Sequence, residues 1–192
     1  AAICFCGLSL WLQADEAAMT RARRRMAQGF AGLAGLLAAV TMLEYLLSLD
    51  LGVDLWLASV PDLAMDSHPG RMAPATTFAI LMLALALLQL DSTRSGQDQA
   101  SHYLALAGGT IGAIALVGYL YGVQTLYKVG TSNTISIFSA ALLLALGLGI
   151  LSARPTRGFM ATLTSDELGA VMLRRVLPFA IALPILAGWI RI

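Results

Sequence analysis

Charged residues are scarce in this sequence. They make up 12% of its 192 residues, while 58% are hydrophobic and the mean hydropathy is +0.79. Soluble domains carry about 25% charged residues. A water-soluble core cannot hide this much apolar surface, whereas lipid solvates the outward faces of a membrane protein. Lysine is nearly absent, since Lys128 stands alone and lies outside every apolar run. A retinal-type Schiff base inside a membrane is thereby excluded. Cysteine occurs twice, as Cys4 and Cys6 in one apolar run. At that spacing the two point to different sides of a helix, and they read as buried, inert thiols rather than a disulfide or metal pair. Histidine also occurs twice. His68 and His102 fall on opposite sides of the expected membrane, which leaves a bis-histidine haem without its pair. There is no GxxxxGK[ST] loop, no HExxH and no GxSxG, and no nucleophile stands beside a base. The net charge of +1 gives no electrostatic reason to expect a nucleic-acid partner.

What is present is a set of apolar runs arranged as repeated hairpins. The central stretch runs from Glu44 to Leu90: a helix end Leu43-Glu44-Tyr45-Leu46-Leu47, a loop, and a return helix opening Met72-Ala73-Pro74. Val117-Gly118-Tyr119-Leu120-Tyr121 repeats the helix end at an offset of 74 (Tyr45 to Tyr119). Asn133-Thr134-Ile135-Ser136-Ile137-Phe138 opens a second return at an offset of 61 (Met72 to Asn133). Repeats of this size define the unit of a fold. The expected architecture is all-α, a polytopic transmembrane bundle forming one module over 1–192. Its spans are expected at 1–12 (partial), 27–48, 74–90, 102–122, 133–151 and 173–190. The first run is shorter than the roughly 20 residues a crossing needs, so the chain looks cut inside a helix. Gly29, Gly32 and Gly35 are expected to let the second span pack closely, as is the GxxxG pair Gly118 and Gly122.

Positive charge assigns the sides. The loops at 13–26, 91–101 and 152–175 hold nine arginines, against Arg71, Lys128 and Arg191 on the other side. The arginine-rich loops are therefore expected in the cytoplasm of a bacterial inner membrane, with the acidic loop 49–73 outside. Tyr45, Trp56, Tyr119, Tyr121, Tyr127 and Trp189 then fall at the outer interface, where amphipathic rings favour the headgroups.

Glu44 is the one acid expected within a span, where a carboxylate is costly and often functional. With Asp50, Asp54, His68 and Arg71 it makes the candidate ligand-binding group at the outer hairpin end. His68 with Asp66, Met65 and Met72 matches no strong metal-ligand spacing, so no metal is assigned. No catalytic residue and no cofactor is identified.

Leu43-Glu44-Tyr45-Leu46, the run Leu49-Asp50-Leu51-Gly52-Val53-Asp54 and His68-Pro69-Gly70-Arg71-Met72-Ala73-Pro74 carry a resemblance. So do Gly118-Tyr119-Leu120-Tyr121-Gly122-Val123, Ala153-Arg154-Pro155-Thr156-Arg157-Gly158 and Gly188-Trp189-Ile190-Arg191. Together they resemble the N-terminal multi-helix membrane region of bacterial sensor histidine kinases and diguanylate cyclases. The resemblance implies a non-catalytic sensory module that precedes a cytoplasmic output domain and shifts its helix packing on an outside stimulus. The alternative is a structural or accessory subunit of a larger membrane complex. Either reading makes the lipid bilayer the surroundings, with further copies or other membrane subunits as partners.

Overall fold

Thr20 starts the longest helix, because its hydroxyl accepts from the Arg23 N–H (3.2 Å) and fills one of the unpaired donors of the first turn. The structure, a computed structural model, describes residues 1–14, 19–47, 72–90, 97–127 and 134–154, with 172, 175 and 176. Its elements are α1 (Ala2–Gln13), α2 (Arg21–Leu47), α3 (Pro74–Gln89), α4 (Gln97–Tyr121), the single turn α5 (Gln124–Tyr127) and α6 (Ile137–Ala153). No strand occurs among the described residues, so the all-α class holds there.

Helix boundaries differ from the hydropathy reading where polar residues cap or extend an element. Arg21 to Arg25 belong to α2 rather than to a loop, behind the Thr20 cap. α4 reaches back to Gln97. Pro74 opens α3, where its missing N–H costs little. Ser136 opens α6 by accepting from the Ser139 N–H. At the far end of α4, Gly122 adopts φ +65°. The N–H groups of Gly122 and Val123 close back on the carbonyls of Tyr119 and Gly118, a Schellman ending that needs a residue without Cβ strain. Gly122 therefore ends a helix and packs against nothing, while Gly118 is buried; the GxxxG pair is not a packing motif.

Four hydrogen bonds between helix ends establish the antiparallel order. At the arginine-bearing end, Ser9 Oγ donates to the Ala27 carbonyl and Ser101 Oγ to the Ala86 carbonyl, both at 2.8 Å. At the opposite end, the Tyr45 hydroxyl donates to the Met72 carbonyl (2.7 Å) and the Tyr119 hydroxyl to the Ile135 carbonyl. α1 packs on α2, α2 on α3, α3 on α4 and α4 on α6. The like-directed helices α1, α3 and α6 also touch pairwise, forming an inner triangle with α2 and α4 seated in two of its grooves.

Small residues build these seams. Along α2, Ala27, Ala31, Ala34, Ala38, Thr41 and Glu44 are buried. At the offset of 74, Ser101, Ala105, Gly108, Gly112, Ala115 and Gly118 are buried along α4. The repeat is thus carried by six equivalent burial positions. The return helices correspond at an offset of 63 (Met72 to Ile135), two residues beyond the offset visible in sequence, since both tyrosines bond two residues ahead of a helix start. Backbones come close along α4: a Cβ on Gly112 would lie 2.6 Å from the Ala140 carbonyl oxygen, and one on Gly147 would lie 2.8 Å from Gly109 Cα. The glycines singled out in α2 do not play this part. Gly29 and Gly32 have nothing within 4 Å and Gly35 only just meets Ala84, so alanines carry that seam.

α2 and the Gln99–Tyr121 stretch of α4 are long and apolar enough to cross a membrane, while α1, α3 and α6 are apolar and shorter. The expected span at 173–190 lies outside the described residues, apart from helical Arg175 and Val176.

Gly147→Val places branched carbons against backbone and is expected to destabilise the fold by about 1–3 kcal/mol, as overpacking does. Gly29→Ala faces open space and is expected to be neutral or to stabilise by about 0.5–1 kcal/mol. Thermal unfolding of the purified variants checks both signs.

Candidate functional site

Polar side chains gather at the two ends of the bundle, where helix termini leave backbone groups to satisfy. At the tyrosine end, Glu44 follows Thr41 on the α2 seam and is 1% exposed. Thr41 Oγ1 donates to the Leu37 carbonyl (3.1 Å), which satisfies its hydroxyl within the helix. Tyr45, next to Glu44, ties the end of α2 to Met72, two residues before α3 begins. A buried carboxylate thus sits one residue from the bond that fixes the hairpin mouth. Of the five residues expected to gather here, the structure places Glu44; Asp50, Asp54, His68 and Arg71 lie outside the described residues.

The arginine-bearing end holds a second polar group. Arg154 directly follows α6 and is 2% exposed. Its Nη1 donates to the Gln13 carbonyl (3.0 Å) and to the Ala153 carbonyl (2.8 Å). Gln13 ends α1, so a guanidinium sits against the negative end of a helix dipole and fills a carbonyl that has no partner within the helix. Gln13 Nε2 then donates to Ser9 Oγ (3.0 Å), and Ser9 Oγ to Ala27 on α2. One continuous hydrogen-bonded path therefore joins α6, α1 and α2. Nearby in sequence, the Arg23 guanidinium stands 5.9 Å from the centre of the Trp11 ring, within cation–π range.

No family model, no curated protein and no solved structure matches this chain. The site is therefore read from its own geometry.

Two features escaped the sequence. Arg154 counts there as one of nine loop arginines, and its only distinguishing mark is its place directly after an apolar helix, where cations favour the terminus. The tyrosines read as interface aromatics, yet their hydroxyls bridge helix ends. Cys6 is buried as expected, whereas Cys4 is exposed, which places the two on different sides of α1. His102 is 1% exposed, inside α4 rather than at its first residue. Among the described residues no three His, Cys, Asp or Glu side chains gather to hold a metal ion.

Arg154→Ala leaves the buried Gln13 carbonyl without its charged donor and is expected to cost about 1–3 kcal/mol. Tyr45→Phe and Tyr119→Phe each remove one hydroxyl bond and are expected to cost about 1 kcal/mol. The two tyrosine changes lie in separate hairpins and should add. Thermal unfolding of the single and double variants reads each difference.

Proposed function

We propose that this chain is a polytopic membrane module, a repeated-hairpin bundle serving as the sensory input region of a bacterial signalling protein. The observation that carries the membrane part is the inversion of side-chain size. On α2 and α4 the buried faces are made of small residues, while large apolar residues face outward: on α2, Leu36 is 61% and Leu46 69% exposed. Water-soluble bundles bury their large apolar side chains. Membrane bundles pack through small residues and leave the large ones to lipid. On this reading all the apolar helices cross, with the arginine-bearing end in the cytoplasm and the loop 49–73 outside, as the charge bias requires.

The sensory part rests on the resemblance already described and on where the polar groups lie. Tyr45, beside the buried Glu44, holds the outer mouth, and Arg154 holds the inner end of α6 against α1. A ligand or membrane state that binds two outer arrangements unequally shifts the balance between them, and packed helices carry the shift inward. Asp50, Asp54, His68 and Arg71 complete the proposed receiving surface with Glu44, and the chain itself performs no catalysis. The competing reading, an accessory subunit, draws on the same outward leucines of α2, which suit a partner helix as well as lipid.

Two measurements test this. Alkaline phosphatase fused after Val60 should be active and the same enzyme fused after Gly96 inactive; the reverse pattern overturns the topology. Intact-mass analysis of the protein purified from its own membrane should give a value well above 20.2 kDa. A mass near that figure, with partners in fixed ratio, replaces the sensor with the accessory subunit.

A further inference from the structure

The arginines that open α2 are not required by the hairpin they begin. At the repeat offset of 74, the stretch Arg21-Ala22-Arg23-Arg24-Arg25 corresponds to Ser95-Gly96-Gln97-Asp98-Gln99. The second copy makes the corresponding end bonds through Ser101 and Tyr119, with no arginine in that stretch and one acid. Asp15 and Glu16 precede the first set, which leaves four arginines against two acids over 13–26. Hairpin geometry does not account for these arginines. The sidedness they share with the other loop arginines does not account for their place beside an exposed indole.

That indole is Trp11, in the last turn of α1 and 68% exposed. The Arg23 guanidinium lies over its ring and donates to its carbonyl at 3.5 Å. Exposed indoles favour the headgroup layer of a bilayer. From Arg23 to Tyr45 α2 rises about 33 Å, close to the roughly 30 Å of hydrocarbon in a membrane. With the tyrosine end at the outer interface, Trp11 and Arg23 therefore stand at the inner one. Stacking holds the guanidinium flat, and its fork of N–H donors matches phosphate oxygens in pairs. Arg21 and Arg25, both exposed, add charge within the same turn. Toward the membrane the surface turns apolar. Met26 and Leu33 are exposed, and Gly29 between them has nothing within 4 Å, which leaves a recess in the strip. Gly29 lies one turn from Arg25 on the same helix face.

We propose that Trp11, Arg21, Arg23 and Arg25 bind the headgroup of an anionic phospholipid of the inner leaflet, with an acyl chain lying over Gly29. Charge complementarity selects this occupant. Lipid phosphates lie at that depth, and clusters of about four or more basic residues just inside a transmembrane helix bind anionic lipid. An acyl chain needs an apolar strip that continues from the charged end, and Met26, Gly29 and Leu33 supply one. The proposal rests on the membrane reading, and it is independent of what the module senses.

Fluorescence quenching in vesicles tests it. The chain carries three tryptophans, so Trp56→Phe and Trp189→Phe leave Trp11 as the single reporter. The full chain is reconstituted into phosphatidylcholine vesicles. A fixed fraction of the lipid carries brominated chains, which quench on contact, and is either phosphatidylglycerol or phosphatidylcholine. A second reporter, Tyr103→Trp in the same background with Trp11→Phe, is exposed on α4, whose start has no arginine, and reads general enrichment. At Trp11 phosphatidylglycerol should be favoured by about five-fold or more, the preference that one arginine near an anionic headgroup supplies. At position 103 the preference should be small. Arg23→Gln should remove most of the preference at Trp11. Arg23→Lys keeps the charge, gives up the stacked fork, and should lower it too. Equal quenching by the two lipids overturns the site and leaves the membrane reading standing, whereas no quenching by either overturns both. The same preference at position 103, or one undiminished in Arg23→Gln or Arg23→Lys, assigns it to general charge and overturns the site. Inorganic phosphate that cancels the preference, where chloride at equal ionic strength does not, overturns the lipid assignment in favour of a soluble phosphate.

Discussion

Close backbone approach along small-residue seams is the constraint on which this structure depends. α2 and α4 share six equivalent buried positions spaced by threes and fours, filled almost wholly by alanine, glycine, serine and threonine. Side chains this short bring helix axes together and let dispersion act between backbones. Glycine is obligatory at Gly112 of α4 and at Gly147 of α6, where a Cβ would run into the main chain of the facing helix. On α2 the same choice turns Leu33, Leu36, Leu43 and Leu46 outward, whereas the large core side chains Ile80, Leu83, Leu87, Leu143 and Ile150 come from α3 and α6.

The seams supply adhesion without direction, and the end bonds supply the register. Tyr45 and Tyr119 fasten the mouths of two hairpins in the same way, and Ser9 and Ser101 fasten the opposite ends with donor and acceptor helices exchanged. That exchange shows that the geometry of the repeat is kept while the residue supplying the hydroxyl is free to change. Arg154 extends the logic across the bundle, since its guanidinium donates to the open carbonyl at the end of α1. Polar bonds at both ends with apolar seams between hold the helices in one register.

Much of this was legible because the residues concerned act locally. Apolar runs, Pro74 at a helix start, and tyrosines recurring at 74 are each visible without a partner. The offset of the return helices was misjudged by two because the sequence similarity there is weak, and the tyrosine bonds that define it are contacts across a loop. The glycines of α2 misled for a related reason. A glycine is permissive wherever it occurs, and its spacing does not tell whether another helix approaches. Glu44 was singled out because an acid in an apolar run is conspicuous, whereas Arg154 was hidden among eight other arginines that serve the charge bias.

Composition and periodicity by themselves determined the helical class, the hairpin repeat and which helix ends share a side, because these follow from apolar run length, turn residues and charge placement. Tertiary structure alone decided which faces became seams and that Arg154 is buried against α1. Those outcomes depend on which helices meet, and a helix presents all its faces equally until a neighbour chooses among them.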